Sequence, residues 1–322
     1  MKTRSQRGSA LLAVLWLSAA LSAIAYSLAT SVRGEIERTS TLSDSVRSYF
    51  LATGAFERAL FYIEMGPAPR GGDPSRRYFD PGTTRLNFEF ASGVATVEII
   101  PEASKLSINQ SKPEDLLRLL QQLGVDPGRA QEIVAAIVDW RSPAPGGLSM
   151  FDQHYLSLLP SFRARHASME EVEELLLVKG MTPDIFYGSV IRDEQGRLQP
   201  RAGLRDCVSV YGSAGAVDAN TAHPALMAAL GVTPGAVAAI VQRRHAIPFR
   251  SAEELAPFMP PGSPGAGRLT VGGGTIYTLR STAQLRSPNG TLSDLTRTVS
   301  GMLKFHRVAH NPPIQVLRWY DN

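Results

Sequence analysis

The 322-residue sequence holds one cysteine, Cys207, which excludes an internal disulfide and any zinc or iron–sulfur centre built on cysteine. A disulfide-free chain can live on either side of a membrane, so this absence does not assign a compartment. None of the six histidines falls in an HExxH spacing, and His306 with His310 reads as surface rather than as a ligand pair. There is no G-x-S-x-G elbow and no Walker A loop, and Gly272-Gly273-Gly274 precedes a predicted strand, where it reads as a turn rather than a phosphate cradle. Nothing in the sequence supports catalysis. Charge is also scarce: 33 Lys and Arg stand against 29 Asp and Glu, and a net of +4 is too small to argue for a polyanionic partner. What is present, 43% hydrophobic residues with 28 Gly and 22 Pro, is the composition of folded protein, long enough for two or three compact units.

The most informative absence is local. The 25 residues from Gly8 to Val32 carry no charge, and as a helix they span about 37 Å, enough to cross a hydrocarbon layer of about 30 Å. Lys2, Arg4 and Arg7 precede them, which keeps the first residues cytoplasmic and sends the rest outward; in a Gram-negative cell that side is the periplasm. A secretory signal cut after Ala25, in the small-x-small string Ala23-Ile24-Ala25, and a plain uncleaved anchor both remain open on hydropathy. No proline occurs before Pro67. Beyond Arg33 the positions Ile36, Leu42, Val46, Tyr49, Phe50, Phe56, Leu60 and Ile63 form a helical stripe, predicted to pack on a globular head. Anchor and stripe therefore read as one rod from Ser9 to about Met65, roughly 85 Å long.

Arg4-Ser5-Gln6-Arg7-Gly8-Ser9-Ala10-Leu11-Leu12 resembles a type IV prepilin leader. The resemblance implies cleavage between Gly8 and Ser9 by a prepilin peptidase, methylation of Ser9, and retention of a membrane helix through Leu11, Leu12, Val14, Leu15, Trp16 and Leu17. Most prepilins carry Glu as the fifth mature residue, where this chain has Ala13. That substitution, with a large later insertion, resembles the general secretion pathway protein K family, the K minor pseudopilins of type II secretion systems.

Downstream, the turn-rich stretch from Arg70 to Gly82 reads as a surface loop, and Leu86–Phe90 with Val94–Ile100 reads as a hairpin about Ser92-Gly93. Strand patterns return only at Gly274–Ala283 and Thr291–His306, joined by a Pro288-Asn289-Gly290 turn, and at Ile314–Trp319. The expected class is α+β: a pilin-like long N-terminal helix packed on an antiparallel sheet, with a large all-helical insertion. The expected division is a leader at 1–8, a transmembrane helix at 9–32 and a pilin-like helix with first strands at 33–104. The insertion follows at 105–268 and the late strands at 269–322.

The insertion repeats itself. Leu123-Gly124-Val125-Asp126-Pro127-Gly128 returns as Leu230-Gly231-Val232-Thr233-Pro234-Gly235, and Asn109 precedes Pro113 by the same four residues as Asn220 precedes Pro224. Each copy is read as a helix-hairpin-helix unit of SAM-like kind, about 106–180 and 204–268. Ser111 with Glu114, Ser168 with Glu171, and Ser251 with Glu254 are predicted capping boxes. Val217-Asp218-Ala219-Asn220-Thr221-Ala222 also resembles DNA-receptor proteins of natural competence, and the alternative function is a membrane-anchored DNA-binding protein of a competence or type IV pilus system. Charge opposes it: residues 106–180 hold seven basic against ten acidic residues, and residues 204–268 five against four, whereas phosphate binding is driven by cationic side chains. Glu170, Glu171, Glu173 and Glu174 are read as a solvated helix start.

The protein K resemblance implies a non-enzymatic subunit of the inner membrane with a periplasmic head. Its implied partners are minor pseudopilins I and J and other pseudopilins, with prepilin peptidase as processing enzyme and no nucleic acid. It also implies a start-and-cap role at a pseudopilus tip that exports folded proteins. No cofactor is expected, calcium being the one ion that the resemblance suggests. The stretch after Asp139-Trp140, Arg141-Ser142-Pro143-Ala144-Pro145-Gly146-Gly147, offers no carboxylate before Asp152, so no metal residue is assigned.

Overall fold

The computed structural model describes the backbone of residues 6–321 except 81, 193–194, 273, 288 and 307–312, and their side chains except those of 6–9, 74, 75 and 321. Leader residues 1–5, His310, Pro288 and Gly273 therefore lie outside the described residues. One helix, α1 (Gln6–Met65), runs for 60 residues, about 90 Å. Then come β1 (Pro69–Arg70), β2 (Asp73–Arg77), β3 (Arg85–Phe90) and β4 (Gly93–Pro101). The loop expected from Arg70 to Gly82 thus contains a small hairpin, β1 with β2.

After Pro101 the chain leaves the sheet. It forms β5 (Leu106–Ser107), α2 (Pro113–Gln122), α3 (Pro127–Arg141), α4 (Asp152–Leu156), α5 (Pro183–Tyr187), β6 (Gly188–Arg192) and β7 (Leu198–Ala202). It continues through β8 (Val208–Ser209), β9 (Val217–Asp218), α6 (Pro224–Ala229), α7 (Pro234–Ala246), α8 (Ala252–Leu255) and β10 (Leu269–Thr270). It returns as β11 (Ile276–Arg286), β12 (Leu292–Phe305) and β13 (Ile314–Asp321). The antiparallel sheet has the order β13-β12-β11-β4-β3. Tyr277, at the start of β11, pairs with Pro101, at the end of β4, so the insertion departs and returns side by side.

The head-facing side of α1 is Ser48, Leu51, Ala52, Ala55, Phe56, Ala59 and Tyr62, spaced three and four apart and buried. Three alanines let the sheet approach closely, and the Ser281 hydroxyl donates to the Ala52 carbonyl at 2.7 Å. Phe56 lies on Gly301, where a Cβ would come within 2.8 Å of its ring. Trp319 of β13 closes over the same ring edge-on, centroids 4.9 Å apart. The expected stripe is corrected here: Ile36, Leu42, Val46 and Phe50 are exposed, Phe50 by 67%. The other half of the stripe holds: Phe56 is buried and Tyr49, Leu60 and Ile63 pack partly buried on the core, with Ser48, Ala52, Ala55 and Ala59 as the small residues between.

The insertion has its own core, from Leu106 and Ile108 through Phe249 and Leu269, separate from the helix-and-sheet core. It is not all-helical. A hairpin, β6 with β7, and two parallel pairings, β5 with β8 and β9 with β10, lie within it. Two-residue pairings are too short to leave a periodic trace. The predicted capping boxes are also corrected. Helices α2, α3, α5, α6 and α7 all begin at proline, whose fixed φ suits the first helical position. Ser111 and Ser251 make no cap bond. In place of Ser168, Glu174 accepts from the amides of Glu170 and Glu171.

Candidate assembly surface

From Ala10 to Thr41 every side chain of α1 is exposed, including Leu11, Leu12, Ala13, Val14, Leu15, Trp16 and Leu17. The helix is long and apolar enough to cross a membrane, and none of its apolar window is buried in the fold. From Ala10 to Val32 that exposed helix carries no charge, a surface suited to an apolar surrounding rather than to water. Gly8 and Ser9 fall in its helical backbone, and their side chains lie outside the described residues.

The other end of α1 meets the insertion. Ile63, Gly66 and Phe79 share a cavity of about 370 Å³ with Asp218, Arg250 and Gly272. A Cβ on Gly82, which adopts φ +88°, would strike Pro248 and Asn220. The lobe therefore crowns the end of the rod remote from the apolar segment. A second seam runs along the sheet. Glu102, 1% exposed, accepts from Thr278 at 2.7 Å, and Lys105 lies 3.8 Å away. Arg318 of β13 pairs with Glu171 and donates to the Glu170 carbonyl at 2.7 Å. Burial pulls the Arg318 guanidinium down, but its bond to Glu171 outweighs that and leaves it above its ordinary value. The glutamate run is solvated as expected at Glu170, Glu171 and Glu173, which are exposed, but it is also paired: Glu171 with Arg318, Glu170 and Glu174 with Arg165, and Glu174 also accepts from the Trp140 indole at 3.1 Å.

Within the lobe, the pairs α2–α3 and α6–α7 are braced identically. Asn109 exchanges two hydrogen bonds with the backbone of Met169 (2.9 and 2.8 Å), and Asn220 exchanges the same two with Phe249 (2.9 and 2.8 Å). Arg141 donates to the carbonyls of Ile108 and Ser111, and Arg244 to those of Ala219 and Ala222. Burial lowers the pKa of both guanidiniums, Asp218 partly opposing it at Arg244. The equivalent asparagines are visible in the sequence as part of a repeat. The arginines are not, because each helix of the second pair is shorter and shifts its arginine by a turn.

The turns between paired helices are not open to phosphate. Gly124 and Gly231 take φ +77° and +92° to make the bend. The Asp126 carboxylate then accepts from the Gly128 and Arg129 amides at 3.0 and 3.1 Å, the donors an anion would need. The second turn packs against Gly265, whose Cβ would meet Val232 at 2.8 Å. Gly272 donates its amide to Asp218 at 2.9 Å, which braces the chain there. Cys207 is buried and its thiol is pushed up to about 12 by burial, then by Asp206.

Calcium fits poorly. Among the described residues no three His, Cys, Asp or Glu side chains are grouped to hold a metal ion. The nearest convergence of oxygens, at Asp139, Ser142 and Asp152, is turned onto the His166 ring.

A long helix with a free apolar end, laid on an antiparallel sheet, is a pilin-like α+β fold. Residues 95–187 match the family model described as "Type II secretion system (T2SS), protein K". The type II secretion system protein K of Klebsiella pneumoniae is 26% identical over 227 residues, 62% of this chain and 69% of the relative. Over those residues the chain is similar to protein K, a pseudopilin of type II secretion systems. In fold it is similar to a chain in the crystal structure of the GspK-GspI-GspJ complex from the enterotoxigenic Escherichia coli type 2 secretion system. That match has a TM-score of 0.58 at 15% identity, covering 88% of this chain and 99% of that one.

Proposed function

We propose that the chain is a non-enzymatic minor pseudopilin that binds subunits I and J, starts a pseudopilus and caps its tip, supporting export of folded proteins across the outer membrane. The observation that carries this is the position of the lobe at the end of α1 remote from the apolar segment. There it would obstruct another subunit stacking above. The composition of the Escherichia coli complex supports the choice of partners. Cleavage after Gly8 and methylation of Ser9 would leave the helix of Leu11 to Leu17 waiting in the inner membrane, its head in the periplasm. With no subunit above, Ala13 has no amine to neutralise, so the usual glutamate is dispensable.

The lobe at 105–268 is then one module between 33–104 and 269–322 of the pilin-like head, and its two helix pairs serve as helix-hairpin-helix units for packing and protein contact. The occupied amides at Asp126 favour that use over DNA. The deciding measurement is the mature amino terminus of the protein purified from membranes. Methylated Ser9 is expected; a terminus at Tyr26 would mean ordinary signal cleavage and end the reading.

A further inference from the structure

The loop from Ser142 to Phe151 joins α3 to α4, and its closure turns on His166, which is 27 residues from one of its partners and 14 from another. His166 is the non-glycine residue with positive φ among those described, at 49°. Its Nδ1 lies 3.2 Å from the Asp139 carbonyl and 3.3 Å from the Ser142 carbonyl, at the C-terminal end of α3. Its Nε2 lies 2.9 Å from Oδ2 of Asp152 at the start of α4. All three partners accept and none donates. A neutral imidazole has one N–H and one lone pair, so one nitrogen would face an acceptor without a proton; the imidazolium satisfies both.

The surroundings favour the cation. Carbonyls at a helix C-terminus carry partial negative charge. Asp152 is 1% exposed and also accepts from the Ser149 amide at 2.8 Å, while the Ser149 hydroxyl donates to Asp139 Oδ2 at 2.8 Å. The cations nearby are committed elsewhere: Arg141 to the Ile108 and Ser111 carbonyls, and Arg165 to Glu170 and Glu174. Tyr155, stacked on Phe162 and edge-on to His154, accepts from the Lys179 amide, and its phenol is pushed up first by burial and further by Asp139 and Asp152. Glu174 is held by the Trp140 indole as well as by Arg165.

We infer that His166 is a pH-operated clasp: as imidazolium it closes the Ser142–Phe151 loop onto the first helix pair, and on losing its proton it frees that loop with its exposed Leu148 and Met150. Burial works against the charge on His166, but the bonds and charges of Asp152 and Asp139 prevail and raise its pKa above 6.5. Burial likewise works against the Asp152 carboxylate, and the Ser149 amide and His166 overcome it. A raised histidine pKa gives stabilisation that is complete below about pH 6.5 and is lost as pH climbs through the folded value. A calcium ion on these oxygens would have to displace the ring, so ring and metal compete.

The test uses the full chain in detergent, with hydrogen exchange of residues 142–152 followed from pH 5.5 to 9 and corrected for intrinsic rates, in chelator and in millimolar calcium. In the wild type, protection should fall above pH 6.5 by up to about tenfold per pH unit until the folded pKa is passed. His166→Gln, which keeps one donor and one acceptor but no charge, should show low protection at every pH. His166→Lys should hold partial protection across the range. Should His166→Gln fold poorly, the His166 ring titration in the wild type decides: a pKa at or below 6.5 overturns the assignment. It is overturned equally by identical pH profiles in wild type and His166→Gln. Calcium restoring full protection to His166→Gln would assign the oxygens to a metal and overturn the clasp as well. None of these results bears on the tip assignment, which rests on the seam of Ile63, Gly66 and Phe79 with Asp218, Arg250 and Gly272.

Discussion

Asn109 and Asn220 each convert a loop into part of the helical core by satisfying one amide and one carbonyl that no helix or strand serves. Asn220→Ala would strand the buried Phe249 amide and carbonyl, and the loss should be about 2–4 kcal/mol, read from urea denaturation of the head followed by circular dichroism. Gly301 is a second single-residue constraint. Gly301→Val would push β-branched bulk into the Phe56 ring and should cost about 1–3 kcal/mol in the same assay. Cys207 gives a simpler measurement: with its thiol held at about 12, it should resist an aromatic disulfide reagent at pH 8 until the protein unfolds. Of these residues only the asparagines and the lone cysteine stand out in the sequence, the former because a repeat places them four residues before proline. Gly301 cannot, since its role depends on a ring 245 positions earlier in the chain.

At the level of elements, α1, the β3–β4 hairpin and the three late strands follow patterns that survive reading: an uncharged run, a missing proline, alternation about a Gly turn. Each is long, so its period accumulates. The parallel pairings of β5 with β8 and β9 with β10 span two residues each and are fixed by the lobe's core, which leaves no trace of them in the pattern. The face of α1 that meets the sheet is hidden for a related reason. Small residues announce close packing less loudly than large ones, and the large apolar residues Ile36, Leu42, Val46 and Phe50 lie exposed on the other side. Two substitutions separate the faces. Phe56→Ala should destabilise the head by about 3–5 kcal/mol, whereas Phe50→Ser, on a side chain already 67% exposed, should stay within about 0.5 kcal/mol. Phe50→Ser should instead weaken co-purification with neighbouring pseudopilins.

For the molecule as a whole, charge counted lobe by lobe already disfavours nucleic acid, and the Asp126 cap adds a geometric reason. A gel-shift titration with duplex DNA at 150 mM salt should show no binding at micromolar protein; salt-sensitive binding there would revive the competence-type alternative. Tyr277 beside Pro101 carries a further consequence. Antiparallel partners sit about 5 Å apart, a gap that a two-residue turn can bridge. The sheet therefore owes the lobe nothing for its closure. A chain cut after Pro101 and rejoined at Tyr277 through Asn-Gly should still lay its helix on an up-and-down sheet, so that the crown could be lost or exchanged while the stem keeps its shape.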